Sequence, residues 1–484
     1  MAKDELSSVN YQEEFGQVDE RRRTFVKGAL ASGAAASISA LSLPGCASNQ
    51  SSRAAERGQV PAQSSGGASG SILVRNVRIA DEKPPVDISI EKGVFTVIGQ
   101  DIKSPAAQVI DARGRAAIPG LLEPHLHLDK ALLERRMPNR SGTLAEAIKV
   151  TGILKSKQVR EDVLERSRQV LDMAVRNGTV AIRAQPDVDP IQKLIGVETG
   201  LALKQEYRNL LELQIVAFPQ EGLIKSPGAH ELIEEAIKMG ADIVGGCPYN
   251  ERNWEDTQRH IDMCFKLAQK HERDVDFHAD FADDTSDQRF AAASYIANKT
   301  IEAGYQGRVS LGHVTSLGAL TSEEAKPVFD LLRKANVHIV TLPATDVYLG
   351  GRKDEKNQRR GLTPVKALRQ AGVNVAYSSN NVRNAFTPFG KADPLQIGNF
   401  LAHVAQLGSP EDQAYVLEMA THGAARAMGI ADRYGIAVGK QADLVILDSE
   451  RIADAILDLP PRLWVIKKGK VTVVTQYKSE IHRG

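Results

Sequence analysis

At 484 residues the chain is longer than one compact domain usually runs, which suits a barrel-sized unit with a smaller satellite and allows a large buried core. Its 61 basic and 60 acidic residues nearly cancel, and no basic stripe is interleaved with aromatics, so a nucleic-acid groove is excluded and a small-molecule partner is expected. Three cysteines, Cys46, Cys247 and Cys264, are too few and too unevenly placed for a disulfide framework.

The stretch "RRRTFVKGALASGAAASISALSLPGC" passes from an arginine cluster through an alanine-rich apolar run to small residues, the pattern of an address rather than of a folded element. Arg22 and Arg23, followed by Thr24, Phe25 and Lys27, resemble a twin-arginine export signal, whose machinery carries proteins already folded and often already loaded with cofactor. "LPGC", ending at Cys46, resembles a bacterial lipobox. Two outcomes stay open: a lipid on Cys46 that tethers the chain to a membrane, or ordinary cleavage nearby and a free periplasmic protein. The apolar run is too short and too rich in Gly, Ala and Ser for a membrane span. Residues 47–70, mostly Ser, Ala, Gly and Gln, read as a flexible linker.

Ordered structure is expected from "SILVRNVRIA" and "VDISIEKGVFTVIG", strand-like with a turn at Glu91 to Gly93. Beyond them, short apolar runs alternate with amphipathic helices such as "GAHELIEEAIKMG" and "SEEAKPVFDLLRKAN". The runs are "GLLEPHLHLD", "TVAIRAQPD", "LELQIVAFPQ", "ADIVGGCPY", "DVDFHAD", "RVSLGHV", "VHIVTLPATD" and "VNVAYSSNN". Eight such units predict an α/β fold, a (β/α)8 TIM barrel over 119–429, with polar strand ends gathered at the catalytic rim. Residues 141–160 either cover the pocket or form the first barrel helix. Strand texture returns in "ADLVILD" and "RLWVIKKGKVTVVT", so 71–118 and 430–484 are expected to build one small β-sandwich domain from both ends of the mature chain.

His125 and His127 stand two apart on the first barrel strand, so their side chains leave the same face, here the barrel interior. Two imidazoles do not complete a catalytic metal site, which commonly offers about three protein ligands and an open position. His278 in "DFHAD" and His313 in "SLGHV" end the fifth and sixth strands on the same rim. Four histidines converging there outweigh the ordinary structural role of a lone strand-end histidine.

These residues lie in a recognisable frame. "IPGLLEPHLHLDK" and "GIAVGKQADLVILD" resemble the opening and closing signatures of the amidohydrolase superfamily, and "QIVAFPQEG", "DFHAD", "LGHVTS", "GRKDEKNQRRG" and "GVNVAY" follow in the order of its cytosine deaminase branch. The resemblance runs from about Ile72 to the end. It implies that His125, His127 and His278 bind one divalent metal ion, Zn, Fe or Mn, that His313 orients the attacking water or the substrate, and that Gln220 hydrogen-bonds the amide edge of a heterocycle. The fourth strand offers no lysine for the carbamate bridge of two-metal relatives, which implies a mononuclear site.

The departures from that pattern are equally specific. The paired aspartates of the eighth strand fall on Asn380 and Asn381, and a carboxamide offers an oxygen to a metal or a substrate but cannot serve as a general base. Where deaminases carry a proton-shuttling glutamate the aligned residue is Phe281, and an R-x-H-x-D segment appears as Arg183, Gln185 and Asp187. Two aspartates are candidates for the missing base: Asp280, two residues after His278 and on its face if the strand stays extended, and Asp346, at the end of the seventh strand. For either, capping a helix or ordering a loop is the competing role. Cys247 is a soft-metal ligand or, more in keeping with its type, a buried inert thiol. Two functions therefore stand: an exported hydrolase of a non-peptide C–N bond in a cyclic amide or aminated heterocycle, or a non-catalytic heterocycle-binding descendant. The oligomeric state, homo-oligomer or monomer, is left open.

Overall fold

The structure, a computed structural model, describes residues 70–483. The arginine pair, Cys46 and nearly all of the expected linker lie outside the described residues.

Eight strands pair side by side, all parallel: β1 (Leu121–Leu126), β2 (Thr179–Ala184), β3 (Glu212–Ala217), β4 (Ile243–Gly246), β5 (Asp274–Ala279), β6 (Val309–His313), β7 (His338–Thr341) and β8 (Val375–Tyr377). Each falls inside one of the eight apolar runs. Their near-continuous Val, Ile, Leu and Ala content fits strands buried on both faces. Between them come helices that bury one stripe. Ser322–Lys334, for example, starts at a Thr321–Glu324 capping box and buries Ala325, Phe329 and Leu332.

Closure from β8 to β1 runs through the residues just past the strand ends. The His127 amide donates to Asn380 O at 2.8 Å, and the Asn380 amide donates to His125 O at 3.1 Å. Beside them the buried Glu123 carboxylate accepts the Ser379 amide at 2.8 Å and the hydroxyls of Ser378 and Ser379.

The smaller unit is two four-stranded sheets over one core. One holds Ile72–Val77, Val86–Glu91, Val94–Gly99 and Gln108–Asp111; the other pairs Ala117–Pro119 with Leu444–Leu447, Arg462–Lys467 and Lys470–Val474. Ile72, Ile88, Phe95, Leu444, Ile446 and Ile466 share that core, so both chain ends contribute as expected. Gln108–Asp111 and Ala117–Pro119, four and three residues long, are too short to show alternation in the sequence.

Residues 141–160 hold a helix of their own ahead of the first barrel helix, so they do not form that helix. Helix Leu144–Lys155 shares an apolar cluster with Phe218, Tyr249, Phe281 and Phe386, residues that follow the strand ends, and the first barrel helix is Arg160–Arg176. Among the described residues no helix is long and apolar enough to cross a membrane.

Candidate metal centre

The C-terminal end of β1 delivers His125 and His127 into the barrel, and β5 brings His278 to meet them. His278 Nε2 lies 3.0 Å from His125 Nε2 and 3.1 Å from His127 Nε2. His127 Nδ1 donates to Gln185 O at 2.8 Å, which leaves its Nε2 as a bare lone pair. Burial first, then neighbouring positive charge and the other imidazoles, holds all three histidines well below the usual imidazole range, so they stand neutral and ready to ligate. Four-coordinate sites with metal–nitrogen bonds of about 2.0–2.1 Å set ligand nitrogens about 3.3 Å apart, and the observed spacing is close to that. The Oδ1 of Asn380, just past the end of β8, is buried without a hydrogen-bond partner. Three neutral imidazole nitrogens this close together suit one divalent ion.

The surroundings hold these ligands in place. His125 Nδ1 faces the Gln185 amide at 3.3 Å and Asp276 at 3.9 Å, while Arg183 neutralises Asp276 at 2.9 Å. Gly312 is required for space: a Cβ there would lie 3.0 Å from His125 Cε1. The Phe218 ring stacks on His278 with centroids 3.8 Å apart. Asp280, His313, Val314 and Asn380, all just at or past strand ends, have φ of 53°, 74°, 49° and 57°, a left-handed turn that Asp, Asn and His tolerate better than most residues.

His313 Nδ1 bonds Asp346 Oδ1 at 2.6 Å, and the second Asp346 oxygen accepts the Leu342 amide at 3.2 Å. Burial raises the Asp346 pKa against these bonds. Asp346 sits on a short helix, Pro343–Leu349, rather than at the end of β7, and both of its oxygens are engaged; it orients His313. Phe281 stacks on the other side of that imidazole, centroids 4.1 Å apart and planes 11° apart.

Asp280 is a correction. The strand ends at Ala279, and the positive φ at Asp280 turns its carboxylate to the amides of Ala292 and Ala293, at 2.8 and 3.0 Å, where it caps helix Ala293–Glu302. Its pKa is pushed up to about 6 by burial. The extended geometry expected for it does not occur. Asn381 bonds Thr345 and Asn384, which orders the loop after β8. Burial pushes the Cys247 thiol up, as an inert thiol requires.

Gln220 is buried, its Oε1 3.3 Å from Lys130 Nζ and its Nε2 3.7 Å from Cys247 Sγ. Lys130 was given no role in the sequence reading although it stands three residues after His127. Its ammonium bonds Asp187 at 2.7 Å and lies 5.4 Å from the centroids of both Phe218 and Phe386. Lys155 escaped it too. It is buried at the end of helix Leu144–Lys155 and contacts Asp189 at 2.6 Å, Glu221 at 2.8 Å and Asp187 at 3.2 Å. Burial opposes its charge, but these carboxylates outweigh burial and raise its pKa. No local pattern marks a lysine as buried, since its partners come from other loops.

The chain is similar to known proteins over most of its length. Residues 142–473 match the amidohydrolase family. The chain is 30% identical over 416 residues to N-isopropylammelide isopropyl amidohydrolase of Pseudomonas sp. (strain ADP), covering 83% of this chain and 97% of that protein. It is 29% identical over 389 residues to pterin deaminase of Rhizobium rhizogenes, covering 80% and 87% respectively. Among solved structures, 5-methylcytosine deaminase from Klebsiella pneumoniae liganded with 5-fluorocytosine superimposes with a TM-score of 0.81 at 31% identity, covering 85% of this chain and 99% of that one.

Proposed function

The chain belongs to the amidohydrolase family, and on that footing we propose that it is an exported, metal-dependent hydrolase of a non-peptide C–N bond in a cyclic amide or aminated heterocycle. The observation that carries this reading is the meeting of three neutral imidazole nitrogens with an oriented His313–Asp346 pair on the same rim. His125, His127, His278 and the Asn380 oxygen would hold the ion. When bound, a divalent cation supplies Lewis acidity and lowers the pKa of its water towards about 7.

The chain's own residues supply the rest. With Nδ1 held by Asp346, the His313 Nε2 is the free basic atom, so it takes the proton from the attacking water and returns it to the departing nitrogen. This arrangement fills the base position that Asn380 vacates. Gln220 and Lys130 present an amide and an ammonium to the polar edge of the ring, and Phe218, Phe281 and Phe386 keep bulk water away.

The sequence supports a further division: residues 1–46 a twin-arginine leader with Cys46 as lipid acceptor, 47–70 a linker, 71–118 with 430–484 the β-unit, and 119–429 the barrel of a periplasmic protein.

The test measures metal in the purified protein and in a H125A/H127A variant, then turnover of N-isopropylammelide, pterin, 5-methylcytosine and 5-fluorocytosine after loading with zinc, iron or manganese. About one equivalent of metal, lost in the variant, with turnover of at least one compound is expected. Asn380 and Phe281 favour a second reading, a heterocycle-binding descendant; metal and 5-fluorocytosine binding with no turnover of any compound would establish it instead.

A further inference from the structure

The candidate site is sealed. His127 and Gln220 are 3% exposed, His278 and His313 2%, and Asn380 1%, so no heterocycle reaches them in this conformation. Something in the roof must move. Helix Leu144–Lys155 lies over the apolar cluster of residues that follow the strand ends, and buries only Ala147, Val150, Thr151 and Lys155 among its twelve residues. At its leading end Gly142 turns at φ 67° and Asn139 ties Thr143 O to Ala385 O at 3.0 Å each. At its trailing end Lys155 is inserted among three carboxylates.

Resting on the hydrolase reading for its substrate, we infer that helix Leu144–Lys155 is a lid over the site and that Lys155 is its latch. A cation suits the last turn of a helix, where the macrodipole is negative, and here it also pins that end to the loops after β2 and β3. Asp187 links latch to pocket, since one of its oxygens bonds Lys155 and the other holds Lys130 against Gln220. Release starts at Glu221, the one latch partner that water reaches, with its side chain 20% exposed against 1% or less for Asp187 and Asp189. The ion pairs favour the closed state strongly, because leaving the Asp187 and Asp189 carboxylates buried without their cation is costly.

Hydrogen exchange of the full chain, compared with its K155M and E221Q variants, tests the latch without needing a substrate. Amides of 144–155 are expected to exchange at least about tenfold faster in K155M and less markedly faster in E221Q, with β1 to β8 unchanged. E221Q keeps two of the three ion pairs and decides the matter if K155M fails to fold. Unchanged exchange at 144–155, or acceleration spread evenly over the barrel strands, would overturn the inference. On any compound the wild type hydrolyses, K155M is expected to raise KM at least about fivefold with a smaller change in kcat, whereas a loss in kcat alone would contradict a latch. If no compound is hydrolysed the functional reading falls, while the exchange pattern still decides the lid.

Discussion

A methyl group at residue 312, on β6, would press on the His125 ring from across the barrel, and a shift of the ring would disturb the approach of its Nε2 to His278. G312A is therefore expected to weaken metal binding by about 10- to 100-fold, the range seen when ligand-orienting groups are disturbed, as read by competition with a chelator. D346N leaves His313 Nδ1 facing an amide in place of the carboxylate that orients the ring; kcat on a hydrolysed compound should fall by about 100-fold or more with metal content unchanged. A fall of less than tenfold would give the proton transfer to another group. The H-x-H pair was legible in the sequence because period-two geometry alone puts both rings on one face. Asp280 and Asp346 were not. Their roles depend on a left-handed turn at Asp280 and on a short helix after β7, features set by packing between strands and invisible to a linear pattern.

All eight barrel strands could be read from the chain, since strands buried on both faces leave compact apolar runs between amphipathic helices. Short elements such as Ala117–Pro119 could not, because three residues gain their strand character only from Leu444–Leu447. At the N-terminal end of the barrel strands, opposite the candidate site, β7 contributes a pH-sensitive tie. His338 Nε2 donates to Gly307 O at 3.3 Å and its Nδ1 accepts from Asn374 Nδ2 at 3.2 Å, an arrangement open only to the neutral ring. Burial lowers its pKa from 6.5 to about 4. The unfolded chain then binds the extra proton between those values, so the contribution of His338 is complete above pH 6.5 and is lost as pH falls through 4. Urea unfolding should show the wild type losing about 3 kcal/mol more stability than H338N between pH 6.5 and pH 4. Equal losses would mean that the ring is already solvated in the fold.

For the molecule as a whole, the leader reading predicts that replacing Arg22 and Arg23 by lysine keeps the protein in the cytoplasm as full-length precursor, visible by cell fractionation. C46A should release the exported form from membranes if a lipid is attached, and should leave its distribution unchanged if it is not. Composition and the arginine pair carry the leader reading, whereas the cluster around Lys155 joins loops 32 to 66 residues away in sequence and emerges only when the barrel brings them together.

The two-ended β-unit has a consequence for biosynthesis. Strand Ala117–Pro119, made early, has no sheet partner until the ribosome has passed Leu447, and Phe95 lacks its cover until Lys440 to Ile466 arrive. The first part of the ordered chain to emerge is thus among the last to become stable, and its completion certifies that translation has reached the far terminus. On the proposed leader reading, a truncated product would carry its address on an unfinished cargo, and a translocase that accepts only folded passengers would reject it without inspecting the barrel at all.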